Sequence, residues 1–537
     1  MDHVPAFHVE NFGCRATQAD GAALEHQFEE RGLDRAPAAD ADVVILNTCT
    51  VTAAADQDAR AAIRRVQRQN PNAKIIVTGC YAQRAPEEIA ALPGVTCVVG
   101  NSHKHQLAEI ALPRVFAERD RNKRSQDEHE QAEHEREGHD FSRAISAAFS
   151  PALAAEVSPT VHLGSFIPLT SLASRSREPK LETRIFVSDI FAHTELLAAP
   201  VFDLPGDADE SQRTRPNLKV QDGCDNRCSF CVIPYVRGQS RSLPLPQILR
   251  EVNALVDAGY REVVVSGINL GRWGRDLARA ASAFEDLLRA ILSETSLEKL
   301  RISSVEPMDW TDDLISLVAE SPRIAKHAHV PLQSGSDAVL RRMHRKYRPW
   351  HYREKIEKIR AAMPPAAIGA DVMVGFPGET DAEFEATRRL IEHLSFTYLH
   401  VFTYSARPGT PAASMPNQVP VHVARERSRI LRDLADEKKR AFMRSFIGKT
   451  VEAITLRSCG AGTLAREGSG TNDDKRGISF PEDRAPFTEA LTDNYLKLHL
   501  KGHHEPNRWL RAHVELVEDG ALVASRESDR EAEKSPV

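Results

Sequence analysis

Shortages in the sequence exclude several classes of protein before any motif is considered. Among 537 residues there are eight cysteines, and aromatic residues make up 6%. Secreted scaffolds stapled by disulfides are rich in cysteine, so few thiols in a long chain favour metal binding or catalysis in a reducing compartment. No uninterrupted apolar run reaches the roughly 18 to 20 residues that a transmembrane helix needs.

The charge balance also lacks the excess of basic residues typical of nucleic-acid binders. The net charge is −6, so any RNA site must come from local patches. The first residues, MDHVPAFHVENFGC, contain no basic leader followed by an apolar stretch, which predicts a cytoplasmic location. With 41% apolar residues, the chain can form roughly two to four globular domains.

Short apolar runs alternate with helical patterns at the start of the chain. The runs DVVILNTC, AKIIVTGC and VTCVVG are separated by polar or Ala-rich stretches. This pattern is typical of parallel strands in βαβ units. We therefore predict an α/β fold in which residues 1–115 form an N-terminal doubly wound α/β domain.

The same alternation returns later in the chain. It predicts a full or partial β/α barrel over residues 213–446, which ends in a basic amphipathic helix at 422–446. The short runs TVEAITL, YLKLHL and WLRAHVELV then predict a small β-barrel over residues 447–525. Residues 526–537 are expected to be a flexible tail.

The composition changes abruptly between these domains. Residues 116–143 are almost wholly charged, and a tract rich in Ser, Ala and Pro follows. Such a segment buries too little apolar surface to offset the entropy of ordering, so residues 116–212 are predicted to be a largely flexible insertion or linker. The alternatives are a solvated helix in the charged part, and docking of patches such as TRIFVSDIFAHTELLAAPVF onto the barrel.

The strongest chemical signal is a group of three closely spaced cysteines, Cys224, Cys228 and Cys231, which we name the loop triad. Three thiolates on one loop can bind three irons of a [4Fe–4S] cube and leave the fourth iron open. A zinc knuckle is the alternative, but it normally needs a fourth Cys or His nearby, and no further one lies between Gly223 and Arg241. The spacing therefore favours an iron–sulfur cluster.

Three other cysteines, Cys14, Cys49 and Cys80, each follow a predicted strand, and we name them the strand-end triad. Carboxyl ends of parallel strands meet at one edge of a sheet, so these thiols can converge on a second cluster. The alternative is three buried structural thiols. Cys97 lies inside a strand run and Cys459 in a Gly-flanked loop, so both are expected to be ordinary thiols.

The segment QDGCDNRCSFC resembles the radical S-adenosylmethionine (SAM) superfamily, and the resemblance implies reductive cleavage of SAM to a radical. The segments SGIN, SSVEP, QSGS and DVMVGFPGE, each at the end of an apolar strand run, are similar to SAM-binding segments of that superfamily. The residues that the resemblance assigns to SAM are Phe230, Ser266, Gly267, Glu306, Ser334, Gly335 and Gly375.

The order of the domains and of the two triads resembles the methylthiotransferases, apart from residues 116 to about 212. This resemblance implies two [4Fe–4S] clusters, a radical cluster on the loop triad and a sulfur-carrying cluster on the strand-end triad. It also implies that SAM is both radical source and methyl donor. An electron donor such as flavodoxin or ferredoxin and a source of sulfur are implied partners.

The motifs NTCTVTAAAD, VTGCYAQ, GINLGRWGRDL and TDNYLKL look most like the branch that methylthiolates C2 of the adenine of threonylcarbamoyladenosine in tRNA, next to the anticodon. The isopentenyladenosine branch is the nearest alternative, and a third branch modifies an aspartate of a ribosomal protein. The C-terminal segment is similar to the TRAM domain, an RNA-binding β-barrel. A hypothesis from another class is a non-catalytic RNA-binding protein in which metal only holds the structure together.

Affinity for tRNA is expected to draw on the basic run RRMHRKYR at 341–348 and on the basic helix at 422–446. Lys and Arg side chains that neutralise phosphates give affinity without sequence specificity. The alternative is that these residues form solvated helix faces.

Overall fold

The computed structural model describes residues 4–112, 183–193, 214–277, 283–457 and 487–527. These residues form an N-terminal α/β unit, a central β/α unit and a C-terminal β-barrel, in chain order. The predicted fold class is confirmed. The predicted tail after residue 527 and the loop cysteine Cys459 lie outside the described residues.

The N-terminal unit is a parallel six-stranded sheet with strand order β2-β1-β3-β4-β5-β6. Strand β3 is buried at every position, as expected of a central strand covered on both faces. The strands are β1 (Ala6–Asn11), β2 (Asp34–Arg35), β3 (Val43–Thr48), β4 (Lys74–Gly79), β5 (Val95–Gly100) and β6 (Arg184–Phe186). The helices are α1 (Arg15–Glu29), α2 (Ala53–Gln69), α3 (Cys80–Arg84) and α4 (Pro86–Ala90).

Strand β6 comes from the segment predicted as an insertion, and sequence analysis did not predict it. It extends the sheet by pairing in parallel with β5. Beyond it, Ile190 is buried, and the carbonyl of His193 accepts a hydrogen bond of 3.2 Å from Arg241 of the central unit. Residues 183–193 therefore dock onto the folded units, whereas the rest of 116–212 lies outside the described residues.

The central unit is a partial β/α barrel made of two sheets. Strands β7, β9 and β10 run parallel in one sheet, and β11, β12 and β13 in the other. Isolated bridges between Leu300 and Ile324 and between Ser304 and His329 connect the two sheets beside β10 and β11. Within the described residues no pairing joins β7 to β13, which leaves a lateral gap between these strands. The strands are β7 (Asn217–Asp222), β8 (Arg241–Ser242), β9 (Glu262–Gly267), β10 (Lys299–Ile302), β11 (His327–His329), β12 (Ala367–Val374) and β13 (Tyr398–Thr403).

Helices cover the outside of this barrel. They are α6 (Leu245–Asp257), α7 (Phe284–Glu294), α8 (Asp312–Glu320), α9 (Asp337–Arg342), α10 (Pro349–Ala362), α11 (Asp381–His393) and α12 (Val421–Arg444). The short helix α5 (Ile233–Arg237) follows the loop that ends at Cys231 and packs against α3 of the N-terminal unit. Ile368, Ala370 and Val372 of β12 and Val401 of β13 belong to the core between strands and helices. Because side chains alternate along a strand, the intervening positions face the barrel interior.

The C-terminal unit is a closed five-stranded barrel with strand order β14-β15-β16-β18-β17. Met443 of α12 and the nearby Phe446 pack into its core, so the basic helix joins the two barrels. The strands are β14 (Thr450–Thr455), β15 (Phe487–Thr492), β16 (Lys497–Lys501), β17 (Trp509–Glu518) and β18 (Ala521–Arg526). Among the described helices, none combines the length and the apolar character needed to cross a membrane.

Candidate active site

The loop triad lies at the carboxyl end of β7. Asp222 ends the strand, and Gly223 turns the chain with φ of +71°. A Cβ on Gly223 would lie 1.9 Å from the carbonyl oxygen of Gln239, so a larger residue cannot occupy this turn. The amide of Cys224 then donates to the carbonyl of Gly238 at 3.1 Å. The first cysteine is thus fixed at the strand ends, where active sites of β/α barrels lie.

The three thiols of the loop triad are half-buried and lie close enough to influence one another's ionisation. Burial and the neighbouring thiol of Cys228 raise the pKa of Cys231 to about 12, and burial raises the pKa of Cys224 to about 11. Thiols that oppose each other's ionisation lie at short range, as binding to the irons of one cube requires. Burial alone disfavours the deprotonated thiolate form of these cysteines, whereas bound iron would stabilise it. The three sulfur ligands therefore fit a [4Fe–4S] cluster.

Two polar side chains direct donors at these sulfurs. Arg345 Nη1 lies 3.3 Å from Cys228 Sγ, and Asn269 Nδ2 lies 3.6 Å from Cys224 Sγ. Arg345 also pairs with the carboxylate of Glu306. Donors of this kind stabilise the negative charge on cluster sulfurs. Sequence analysis missed both residues, although Asn269 closes the segment SGIN and Arg345 lies in the basic run.

The structure brings the strand-end triad together at the predicted sheet edge. Cys14 precedes α1, Cys49 follows β3 and Cys80 begins α3. Burial and the nearby thiols of Cys14 and Cys80 raise the pKa of Cys49 to about 12. A Cβ on Gly13 would lie 2.5 Å from Cys49 Cβ, so glycine permits this approach. Three convergent thiols fit a second cluster of the same kind, whereas Cys97 lies on β5.

A buried charge network joins the two triads. Asp20 of α1 is 1% exposed and accepts hydrogen bonds from Lys104 and Arg237, each at 3.0 Å, and from Lys219. Asp222 accepts from Lys219 at 3.0 Å and from Arg237 at 2.9 Å. Burial raises the pKa of Asp20, but the three cations outweigh it and hold the pKa well below its ordinary value. The network therefore links α1, which follows Cys14, to β7, which precedes the loop triad.

Four of the residues assigned to SAM flank the loop triad. Ser266 and Gly267 end β9, and Glu306 follows β10. Phe230 lies within the triad, and its ring meets Phe376 edge-on at 6.5 Å. These residues lie at the same end of the barrel strands as the loop triad, and their contact with SAM stays a prediction.

The other three assigned residues pack against helices. Ser334 Oγ lies 3.1 Å from Thr387 Oγ1, and the amide of Gly335 donates to the same hydroxyl at 3.0 Å. A Cβ on Gly375 would lie 2.6 Å from the side chain of Ala424, and its φ is +74°. Each of the three therefore has a packing role in the barrel, and their contact with SAM also stays a prediction.

The basic segments are largely paired within the protein. In the run at 341–348, Arg341 pairs with Asp337 at 2.9 Å and Arg342 with Glu383 at 2.8 Å. In the basic helix, Arg427 is buried against two carboxylates. Much of this charge therefore stabilises the fold, and fewer side chains remain for phosphates than the sequence alone indicated.

Comparison with known proteins gives two family matches and several relatives. The Radical SAM superfamily model matches residues 218–391, and the model described as uncharacterized protein family UPF0004 matches residues 6–100. Threonylcarbamoyladenosine tRNA methylthiotransferase MtaB of Bacillus subtilis is 32% identical over 93% of this chain and 90% of its own length. The tRNA-2-methylthio-N(6)-dimethylallyladenosine synthase of Novosphingobium aromaticivorans is 32% identical over 84% of this chain and 86% of its own.

A solved structure of the radical SAM methyltransferase TsrM from Kitasatospora setae is similar over 77% of this chain and 74% of that one, with 15% identity and a TM-score of 0.45. Fold, cysteine loop and family match together define a radical SAM enzyme. Identities above 30% over most of each chain narrow the class further: the chain belongs to the methylthiotransferase family. Enzymes of this family use SAM and a [4Fe–4S] cluster, and a second cluster is typical of them.

Proposed function

We propose that this enzyme adds a methylthio group at C2 of the adenine of N6-threonylcarbamoyladenosine, next to the anticodon of tRNA. Relatives named for this substrate, from Bacillus subtilis, Rickettsia prowazekii and Aquifex aeolicus, are 32–33% identical. The observation that carries the proposal is the pair of cysteine triads at adjoining strand ends, joined by one buried charge network.

In this proposal the loop triad binds the radical cluster and the strand-end triad binds the sulfur-carrying cluster. The C2–H bond of adenine has no acidic proton, so a general base has little to act on. When bound, the clusters and SAM supply the radical, the sulfur and the methyl group that replace C–H by C–S–CH3. The residues proposed to bind SAM at the mouth of the barrel are Phe230, Ser266, Gly267, Glu306, Ser334, Gly335 and Gly375.

The protein's own side chains prepare these sites. Cys49 and Cys80 are at most 5% exposed, so water has little access to these two thiols, whereas Cys14 is exposed. Arg345 places a donor on Cys228 and binds Glu306 in the same geometry, which couples a cluster ligand to a proposed SAM contact. Asn269 places a second donor on the sulfur of Cys224.

The proposed partners follow from the reaction. Reductive cleavage of SAM needs an electron donor, for which flavodoxin or ferredoxin is proposed, and each turnover consumes sulfur that a source must replace. The C-terminal barrel, TRAM-like in its strand pattern, is proposed to bind tRNA together with the exposed Lys346. A cytoplasmic location fits a tRNA substrate.

Mass spectrometry of tRNA nucleosides from cells that lack the gene tests the substrate. We expect the methylthio form of threonylcarbamoyladenosine to disappear and the methylthio form of isopentenyladenosine to remain. The opposite pattern would place this chain in the isopentenyladenosine branch, which the Novosphingobium relative makes the second candidate.

Anaerobic reconstitution with iron and sulfide tests the class of protein. Two four-iron clusters correspond to about eight irons per chain, and we expect dithionite-dependent formation of 5′-deoxyadenosine. Zinc binding without cleavage of SAM would instead support the non-catalytic RNA-binding hypothesis.

A further inference from the structure

A polar cluster lies on the inner wall of the barrel, apart from both triads. Register places Asp371 of β12 opposite His400 of β13, and His329 of β11 opposite Gly369. Ligating atoms of His329, Asp371 and His400 all lie within 4.8 Å of one another. His329 Nδ1 is 2.6 Å from Ser304 Oγ, and its Nε2 is 3.4 Å from Asp371 Oδ1. These polar side chains have no part in the cluster or SAM assignments above.

This cluster borders a cavity of about 220 Å³ beside the lateral gap of the barrel. Tyr398 and His400 line the cavity from the barrel wall, and Lys439 of α12 lines another side. Tyr495 and Lys497 complete it from the C-terminal barrel. The cavity, which we name the gap cavity, is therefore formed by two units of the protein.

The gap cavity also reaches the neighbourhood of the strand-end triad. The ring of Tyr398 lies against Gly369, where a Cβ would be 2.0 Å away. The rings of Tyr398 and Tyr495 are 6.1 Å apart, and Arg15 Nη2 donates to the Tyr495 hydroxyl at 2.9 Å. Arg15 directly follows Cys14 in the chain. A group held in the gap cavity thus lies close to the residues that adjoin the proposed sulfur-carrying cluster.

The lining of the gap cavity carries three basic side chains, Arg215, Lys439 and Lys497, and two acidic ones, Asp436 and Glu489. Burial and the neighbouring ammonium of Lys497 lower the pKa of Lys439, and the carboxylate of Asp436 on the same helix offsets only part of this shift. Within the described part of the chain, Lys439 has no carboxylate at ion-pair distance. A carboxylate from a ligand would offset this repulsion and form charge-assisted hydrogen bonds. His400, which lines the cavity and lies within 4.8 Å of Asp371, offers a hydrogen-bonding group for neutral polar groups of the ligand.

We propose that the gap cavity binds the N6 substituent of the substrate adenosine, and that it selects a polar substituent that carries a carboxylate. The inference rests on the proposed function and assigns residues to its specificity. A threonylcarbamoyl group has urea, hydroxyl and carboxylate groups that match these side chains. A dimethylallyl group would leave buried polar groups without partners, a mismatch that sites built for hydrogen bonding reject by several powers of ten.

Binding of anticodon stem-loop RNAs to the reconstituted enzyme tests this inference. Three RNAs would be compared, which carry threonylcarbamoyladenosine, dimethylallyladenosine or unmodified adenosine. We expect the wild type to bind the threonylcarbamoyl RNA at least tenfold more tightly than the unmodified RNA. Lys439→Met and His400→Phe should each remove about tenfold of that preference, with little change for the unmodified RNA.

Arg440→Met is the matched control, because Arg440 is exposed on the same helix one residue away and is not part of the cavity lining. Dithionite-driven cleavage of SAM without RNA should be unchanged in all variants. If His400→Phe fails to fold, Lys439→Met alone tests the inference. This substitution should be tolerated, because the Lys439 side chain lines a cavity and is not packed in the core. In turnover, kcat/KM for the threonylcarbamoyl RNA should fall with the binding preference.

Three results would overturn the inference. Equal weakening of all three RNAs by Lys439→Met would show that this cation binds backbone phosphate. An unchanged preference in both variants would show that the cavity does not recognise the substituent. A divalent metal ion bound beyond the cluster iron, and lost in His329→Phe, would make the polar cluster a metal site. The proposed function fails separately, if the wild type acts only on the dimethylallyl RNA.

Discussion

Replacing Asp20 by Asn should weaken the joint between the N-terminal sheet and the barrel. The substitution keeps the shape of the side chain but removes the negative charge from a position that is 1% exposed. Lys219 and Arg237 then keep Asp222 as their carboxylate, whereas Lys104 loses the carboxylate with which it pairs. Removing one partner of a buried ion pair costs about 3–5 kcal/mol. At roughly 2–4 °C per kcal/mol, the expected fall in Tm is about 10 °C.

The pH dependence gives the same prediction a second test. The folded-state pKa of Asp20 lies well below its ordinary value, so folding binds fewer protons there than the unfolded chain does. This contribution to stability is present above the unfolded pKa of about 3.9 and is lost as the pH falls through the folded pKa. The wild type should therefore lose stability below about pH 4 more steeply than the Asp20→Asn variant.

Thermal unfolding of the cluster-free protein measures both effects. Asp312→Asn is the control, because Asp312 pairs with Lys358 at 3.0 Å but its side chain is 72% exposed. Exposed pairs contribute about 0–1 kcal/mol, so this variant should unfold close to the wild type. A Tm for Asp20→Asn within about 2 °C of the control would refute the reasoning that the network holds the two units together.

Three further predictions concern the two clusters, the buried ion pair between Glu262 and Arg301, and strand β6. Cys228→Ala should abolish both SAM cleavage and tRNA modification, whereas Cys49→Ala should spare SAM cleavage measured as 5′-deoxyadenosine; full product from Cys49→Ala would contradict the second cluster. Glu262→Gln leaves the fully buried Arg301 without its carboxylate partner. The free energy of unfolding, measured by denaturant titration, should fall by about 3–5 kcal/mol. Deleting residues 183–193 should lower Tm because it uncovers β5, whereas a deletion confined to 116–181 should be tolerated.

The placement of the cysteines could be predicted from the sequence because it depends on local signals. Strand runs that end at Cys14, Cys49 and Cys80 place the thiols at one sheet edge by the geometry of parallel strands alone. The spacing of the loop triad likewise specifies one compact site. Their surroundings could not be predicted, because Asp20 and Arg237 are 217 positions apart and no spacing rule connects them.

Other features were misjudged where composition conflicted with tertiary contacts. Arg345 lies in a run that is typical of phosphate binding, yet it is buried against Cys228 and Glu306. The three residues of β6 are too short to show a period and lie in a tract of low-complexity character. Pairing with β5 supplies the stability that this local sequence lacks.

Turnover of a defined RNA tests the central claim most directly. The reconstituted enzyme would be incubated anaerobically with SAM, dithionite and an anticodon stem-loop that carries threonylcarbamoyladenosine, and the nucleosides analysed by mass spectrometry. We predict a product that has gained one sulfur and one methylene unit in mass, and its absence with Cys49→Ala. An enzyme that holds both clusters and cleaves SAM but leaves this nucleoside unchanged would contradict the account.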